Sequence, residues 1–144
     1  MTKIDFSMEL NSSSEKILSL ISDYEQYPSY LPKQIKKVVV IEKNTDQTTT
    51  NELFFFKTLF NKEVKQQSIH KKISDNCIST VIMSGPIKDS VITVCCEKTS
   101  NGTSVKIEGN IKTSLKYKFF EPLITKMYKS IIRGILYQMN NRAV

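Results

Sequence analysis

Tryptophan is missing from this 144-residue chain, histidine occurs once, and glycine and proline occur four times each. Each shortage closes a class. So little Gly and Pro leaves no room for a fibrous or low-complexity disordered chain. The three cysteines, Cys77, Cys95 and Cys96, make an odd count, and the adjacent pair would point to opposite faces of a strand. Neither a disulfide scaffold nor a metal site is expected. With His70 as the lone imidazole and no Cys-x-x-Cys spacing, zinc lacks ligands. No apolar run approaches the ~20 residues that span a bilayer. The opening Met1-Thr2-Lys3-Ile4-Asp5-Phe6-Ser7 alternates polar and apolar without the apolar core of a secretory signal. A cytoplasmic protein is expected, with peripheral membrane contact as an alternative. Acidic residues number 14 against 21 basic ones, a net charge of +7, which suits an acidic partner or simply solvates the surface.

What is present is an ordinary globular composition, 40% hydrophobic and 24% charged, in a chain long enough to bury about two thirds of its unfolded surface. One domain over residues 1–144 is expected, and composition sets no oligomeric state. Its organising stretch is Phe119 to Arg142. At 100° per residue, Ile124, Tyr128, Ile131, Ile132, Ile135 and Met139 fall on one side, bordered by Met127 and Leu136. Lys126, Lys129, Arg133 and Asn140 fall opposite. Pro122 suits the first turn of this helix, and Glu121 faces the positive end of its dipole. From Pro122 to Arg142 the helix would run roughly 30 Å.

Upstream, residues 3–10 alternate with Ile4, Phe6, Met8 and Leu10 on one face, a half-buried strand. Ser12 with Glu15 reads as a capping box for a short helix over about 13–22. Asp23 would cap a second helical piece, Tyr24 to Tyr27, before the irregular turn bracketed by Pro28 and Pro32. Residues 35–112 read as strands almost throughout: 35–43, 48–60, 62–73, 77–83, 90–98 and 103–112. The connections are short, so neighbours are antiparallel, and Asn101-Gly102 signals a tight hairpin. The last strand sets Val105, Ile107, Gly109 and Ile111 against Lys106, Glu108, Asn110 and Lys112. Strands 48–60 and 62–73 do not declare a face, since Leu53-Phe54-Phe55-Phe56 is apolar on both sides and Lys65-Gln66-Gln67-Ser68 polar on both.

Seven strands ~4.8 Å apart make a sheet about 30 Å wide, whereas a helix with its side chains is ~10–12 Å across. Such a sheet must curl around the helix. Curling leaves an interior that side chains fill or a ligand occupies. Small inward residues, Val94, Cys96, Val105 and Gly109, and the absence of Trp are compatible with a hollow. The competing reading is a solid core plugged by Phe54, Phe55, Phe56, Phe60 and Met83.

The segment Ser22-Asp23-Tyr24-Glu25-Gln26-Tyr27-Pro28-Ser29-Tyr30-Leu31-Pro32 resembles the opening of the START and Bet v 1-like (SRPBCC) superfamily. It is nearest the coenzyme Q-binding and polyketide cyclase/dehydrase branch, whose motif D-x-E-x-Y-P-x-F/Y-L-P it matches. Gly85-Pro86-Ile87-Lys88 resembles a Gly-Pro turn between that branch's middle strands. The resemblance implies an α+β helix-grip fold: a curved antiparallel seven-stranded sheet wrapped around a long C-terminal helix, with two short helices after strand 1. It also implies a hydrophobic ligand (a lipid, an isoprenoid quinone or a polyketide-like compound) and no cofactor. Val94 and Cys96 stand where coenzyme Q-binding relatives carry a Trp and an aromatic, which would enlarge the cavity. The expected lining is Phe6, Met8, Val94, Cys96, Val105, Ile107, Ile124, Tyr128, Ile131 and Ile135, and Tyr27 and Tyr30 are expected to pack under the short helices, with a hydroxyl at the cavity mouth to orient a polar head as the ligand-binding alternative.

Acid–base catalysis would need titratable groups converging on the hollow. Alternation groups His70 with Gln66 and Ser68, which is read as a solvated face, and Cys95 and Cys96 read as small apolar strand residues. No catalytic or metal residue is assigned, and non-catalytic binding or carriage leads. A polyketide cyclase or dehydratase is the alternative. A third class rests on Lys112, Lys116, Lys118, Lys126, Lys129 and Arg133 as a basic patch, interleaved with Tyr117 and Phe119, for a ribosome or an anionic membrane. No RNA-binding signature accompanies it, so nucleic acid is not expected.

Overall fold

The structure, a computed structural model, describes residues 1–57 and 62–143. Strand β1 (Thr2–Leu10) is followed by α1 (Ser14–Ile21), a 3-10 turn (Tyr24–Gln26) and α2 (Tyr27–Tyr30). Strands β2 (Ile35–Lys43), β3 (Gln47–Phe56), β4 (Lys62–Ser74), β5 (Cys77–Ile82), β6 (Val91–Thr99) and β7 (Gly102–Ile111) come next. A second 3-10 turn (Leu115–Phe120) leads into α3 (Glu121–Ala143). The sheet order is β1-β7-β6-β5-β4-β3-β2, antiparallel at every pairing. This is the helix-grip α+β architecture. The expectation that the second meander strand runs to Phe60 extends onto residues 58–61, which lie outside the described residues.

Strands β1, β3, β4 and β7 bury alternate residues as a pleated surface requires. On β7 these are Thr103, Val105, Ile107 and Ile111, and on β1 Ile4, Phe6 and Leu10. Gly109 continues that row between Ile4 of β1 and Ile92 of β6. A Cβ there would stand 2.2 Å from the Val91 carbonyl oxygen, so no larger residue fits. Gly85 takes a positive φ of 96° in the turn before β6, which a side chain would strain.

Helix α1 is capped by Ser13, whose side chain accepts from the Lys16 amide at 3.2 Å, rather than by Ser12. Ser12 instead joins α3 to the front of the fold: Asn140 Oδ1 accepts from the Asn11 and Ser12 amides at 3.0 and 3.2 Å. Asp23 makes no side-chain cap to the turn it precedes. At the other end of α3, Glu121 accepts from Thr2 Oγ1 at 2.8 Å and from the Thr113 amide at 3.1 Å. The helix is thus tied down at both ends.

The face of α3 read as its basic outer side is not all solvent. Lys129 and Arg133 lie over the Phe6 ring, at 5.0 and 4.5 Å from its centroid. The helix leans on the β1 edge, and the far half of the sheet is left for other groups to fill.

The cysteines depart from expectation. Cys77 and Cys95 are direct partners across β5 and β6 and form a disulfide, while Cys96 is free and buried. Spacing along the chain says nothing of such a pair, because only the register brings the two together. Burial pushes the Cys96 thiol up to about 11, which keeps it an inert packing residue.

Candidate functional site: a cavity with one polar wall

On the β2–β5 side of α3 the fold forms a half-open cavity of about 150 Å³. Ile21, Tyr24 and Tyr27 close it from the short helices, and Tyr128, Ile131, Ile135 and Met139 from α3. The sheet supplies Val38, Phe54, Ile78, Ile82 and Val94. Most of the wall is therefore apolar. Of the residues expected to line the hollow, Tyr27, Val94, Tyr128, Ile131 and Ile135 face this space.

The others do not border it. Cys96, Val105, Ile107 and Ile124 are at most 1% exposed and form solid core around β6, β7 and α3, joined there by Ile17 of α1. Phe6 is occupied by the two cationic side chains above it, and Met8 packs against the core from β1. Tyr30 is buried under Arg142, whose guanidinium lies 4.3 Å from its ring centroid and donates to Ser29 Oγ and the Ser29 carbonyl at 2.7 and 2.8 Å. The reason is placement. A helix leaning toward β1 fills that half of the sheet, and the hollow moves to the half that only the side chains of one α3 face reach.

Strand β3 turns Thr50, Glu52, Phe54 and Phe56 inward, and β4 turns Val64, Gln66 and Ser68 inward with His70 next in the row. In the register, Thr50 faces Ser68, Glu52 faces Gln66, and His70 faces Thr80 of β5. The outcome is a polar patch inside an apolar shell. Glu52 accepts from Thr50 Oγ1 at 2.7 Å, Gln66 Nε2 at 2.8 Å and Ser68 Oγ at 2.8 Å. Tyr128 Oη, reaching down from α3, donates to Gln66 Oε1 at 3.0 Å. His70 touches Thr50 Oγ1 through Nε2 at 2.8 Å and Thr80 Oγ1 through Nδ1 at 2.7 Å, and its ring stacks on Tyr24 at 4.0 Å. Its side chain is 10% exposed, so the expectation of a solvated histidine is corrected: the row it shares with Gln66 and Ser68 faces inward.

The single hydroxyl proton of Thr50 orders this chain of bonds. Donated to Glu52, it leaves Thr50 able only to accept from His70, an arrangement that fits a ring proton on Nε2 with the Thr80 hydroxyl donating to Nδ1. Burial holds the His70 pKa down, to about 4, so the ring is neutral near pH 7. Burial raises the Glu52 carboxyl, opposed by its hydrogen bonds from Thr50, Ser68 and Gln66. The same burial, aided by the Glu52 charge, raises the hydroxyls of Tyr24 and Tyr128. Among the described residues no buried side-chain nitrogen or oxygen lacks a partner, and no three His, Cys, Asp or Glu side chains converge as metal ligands would. No helix among them is long and apolar enough to cross a membrane.

A curved sheet gripping one long helix over an internal cavity is the architecture of the START and Bet v 1-like proteins. The family model described as polyketide cyclase / dehydrase and lipid transport matches residues 10–143, and the chain belongs to that family. A START superfamily protein from Mycobacterium smegmatis is similar over 98% of this chain and 96% of its own, with a TM-score of 0.79 and 16% identity. TTHA0849 from Thermus thermophilus gives 0.83 and 14% over 99% and 97%. The Zhui aromatase/cyclase from a Streptomyces species gives 0.83 and 9% over 99% and 93%. At such identities the likeness is one of fold. A comparison with curated protein sequences gives no match.

Proposed function

We propose that the chain, with residues 1–144 acting as one unit, binds a compact hydrophobic molecule carrying one hydrogen-bonding group. The observation that supports this reading is the cavity itself, about 150 Å³ of mostly apolar wall with Glu52, Gln66, Ser68 and His70 along one side. A void of about this size in an engineered protein stays dry and takes up benzene. Of the ligand classes considered, the end of an acyl chain or a single polyketide-like ring matches that volume, whereas an isoprenoid quinone with its tail requires α1 and α2 to move apart. Affinity comes from the apolar ligand surface removed from water, about 25 cal/mol per Å². Orientation comes from the polar side.

A trapped hydroxyl or carbonyl must exchange bonds with groups that are already paired, which selects ligands able to replace them. The test is uptake of toluene, followed by shifts of cavity methyl resonances. Ile131→Trp is expected to fill the space and abolish uptake, at an overpacking cost of ~1–3 kcal/mol. Unchanged uptake in that variant would remove the cavity as the site.

A second reading has its own support in the pairing of a buried carboxyl with a neutral imidazole, Glu52 Oε2 and His70 Nε2 being 3.8 Å apart with Thr50 between them. Together they form an acid–base pair in a site shielded from water, the equipment of a cyclase or dehydratase. A β-polyketone thioester cyclised by the native chain and not by Glu52→Gln, at equal binding, would support catalysis. Equal rates with and without protein would dismiss it.

A further inference from the structure

Between β7 and the body of α3 the surface turns apolar. Leu115 and Phe119 are each 90% exposed, with Phe120 at 44% and Leu123 at 48%. All four fall on the 3-10 turn Leu115–Phe120 and the first turn of α3. The Phe119 and Phe120 rings meet edge to face at 5.5 Å and form one protrusion. Lys112, Lys116, Lys118 and Lys126 are exposed around them. The one acid in this stretch, Glu121, is buried against Thr2 and Thr113.

The segment is held in place. The Ser114 amide donates to the Pro86 carbonyl at 3.1 Å, the Tyr117 amide to the Ser114 carbonyl at 2.9 Å, and the Tyr117 ring packs on the core. Large apolar side chains fixed in water mark a contact surface. We propose that this segment docks the protein on an anionic lipid bilayer. Leu115, Phe119, Phe120 and Leu123 enter the interfacial layer, and the four lysines lie over lipid phosphates. Two features favour a bilayer over a second copy of the chain. A two-fold contact would set four lysines against four with no exposed acid in the stretch to pair them. Four protruding side chains also fall short of the ~800 Å² per partner of a stable protein interface, whereas a lipid surface needs only a few inserted groups plus charge.

Sedimentation with vesicles tests this, comparing phosphatidylcholine alone with phosphatidylcholine mixed with phosphatidylglycerol. Binding is expected only to the mixture and is expected to fade toward ~1 M salt, where charges are screened beyond ~3 Å. Each lysine changed to glutamine should weaken binding about fivefold. Leu115→Ser with Phe119→Ser should abolish it while the circular dichroism spectrum stays unchanged, since both side chains stand outside the core. Ile131→Trp should bind vesicles as the native chain does, so failure of the cavity reading leaves docking standing. Equal binding to both vesicle types, undiminished binding by the double serine variant, or a dimer in sedimentation velocity that the same variant abolishes would overturn the proposal.

Discussion

His70 and Glu52 carry opposite dependences on pH, and each can be read separately. The folded pKa of His70 lies near 4, below the ordinary ~6.5 of the unfolded chain. As pH falls, the unfolded state takes the proton first, so stability is lost between about 6.5 and 4 and is constant below. That interval corresponds to about 3 kcal/mol. His70→Gln is expected to flatten the acid side of the urea-midpoint curve, and parallel curves for the two proteins would refute the buried neutral imidazole. Glu52 is raised by burial, so its unfolded form ionises first and stability falls as pH rises past the ordinary carboxylate range. Glu52→Gln is expected to denature at higher urea than the native chain at pH 8, with the difference closing toward pH 4. No gain at pH 8 would mean that the carboxylate is already compensated. Neither residue is recognisable as a site from sequence. A strand polar on both faces gives no hydrophobic alternation to say which row turns in, and only the pairing of Glu52 with Gln66 and of His70 with Thr80 decides it.

At the scale of elements, the ends of α3 matter more than its apolar stripe suggests. Asn140 Oδ1 serves two amides and the Ser12 hydroxyl at the β1–α1 junction. Asn140→Ala strands these donors and is expected to cost ~1–3 kcal/mol in urea unfolding. A loss below a few tenths would show that water replaces them. The β5–β6 pair has its own test. Alkylation after denaturation without reductant is expected to label Cys96 alone, and labelling of all three cysteines would contradict the Cys77–Cys95 bridge. Helix, meander and hairpin are legible in sequence because each has a period of its own, 3.6 for α3 and 2 for β1 and β7. The cap shifts from Ser12 to Ser13 because two serines in a row offer the same signal and tertiary contact with Asn140 claims one of them. The disulfide stays hidden because it depends on register.

Across the whole molecule, width explains the hollow. One helix leaning on β1 packs that half of a seven-stranded sheet solid, and the β2–β5 half closes over space instead. The excess of sheet over helix is legible in the residue pattern, but the pattern names inward residues only on the first and the last two strands, because strands 48–60 and 62–73 declare no face. Hence Val105 and Ile107 are expected at the cavity and stand in the core, while Glu52, Gln66 and Ser68 line it without having been expected there. The central claim is a cavity that holds apolar matter against one polar wall. Its most direct test is a pair of NMR titrations, toluene and p-cresol, on the native chain and on Tyr128→Phe. Both compounds are expected to shift the methyls of Val94, Ile131 and Ile135 in the native chain. The variant is expected to lose p-cresol affinity by about two- to tenfold, the worth of one hydrogen bond, with toluene unaffected. Shifts confined to surface residues, or an equal change for both compounds, would contradict it.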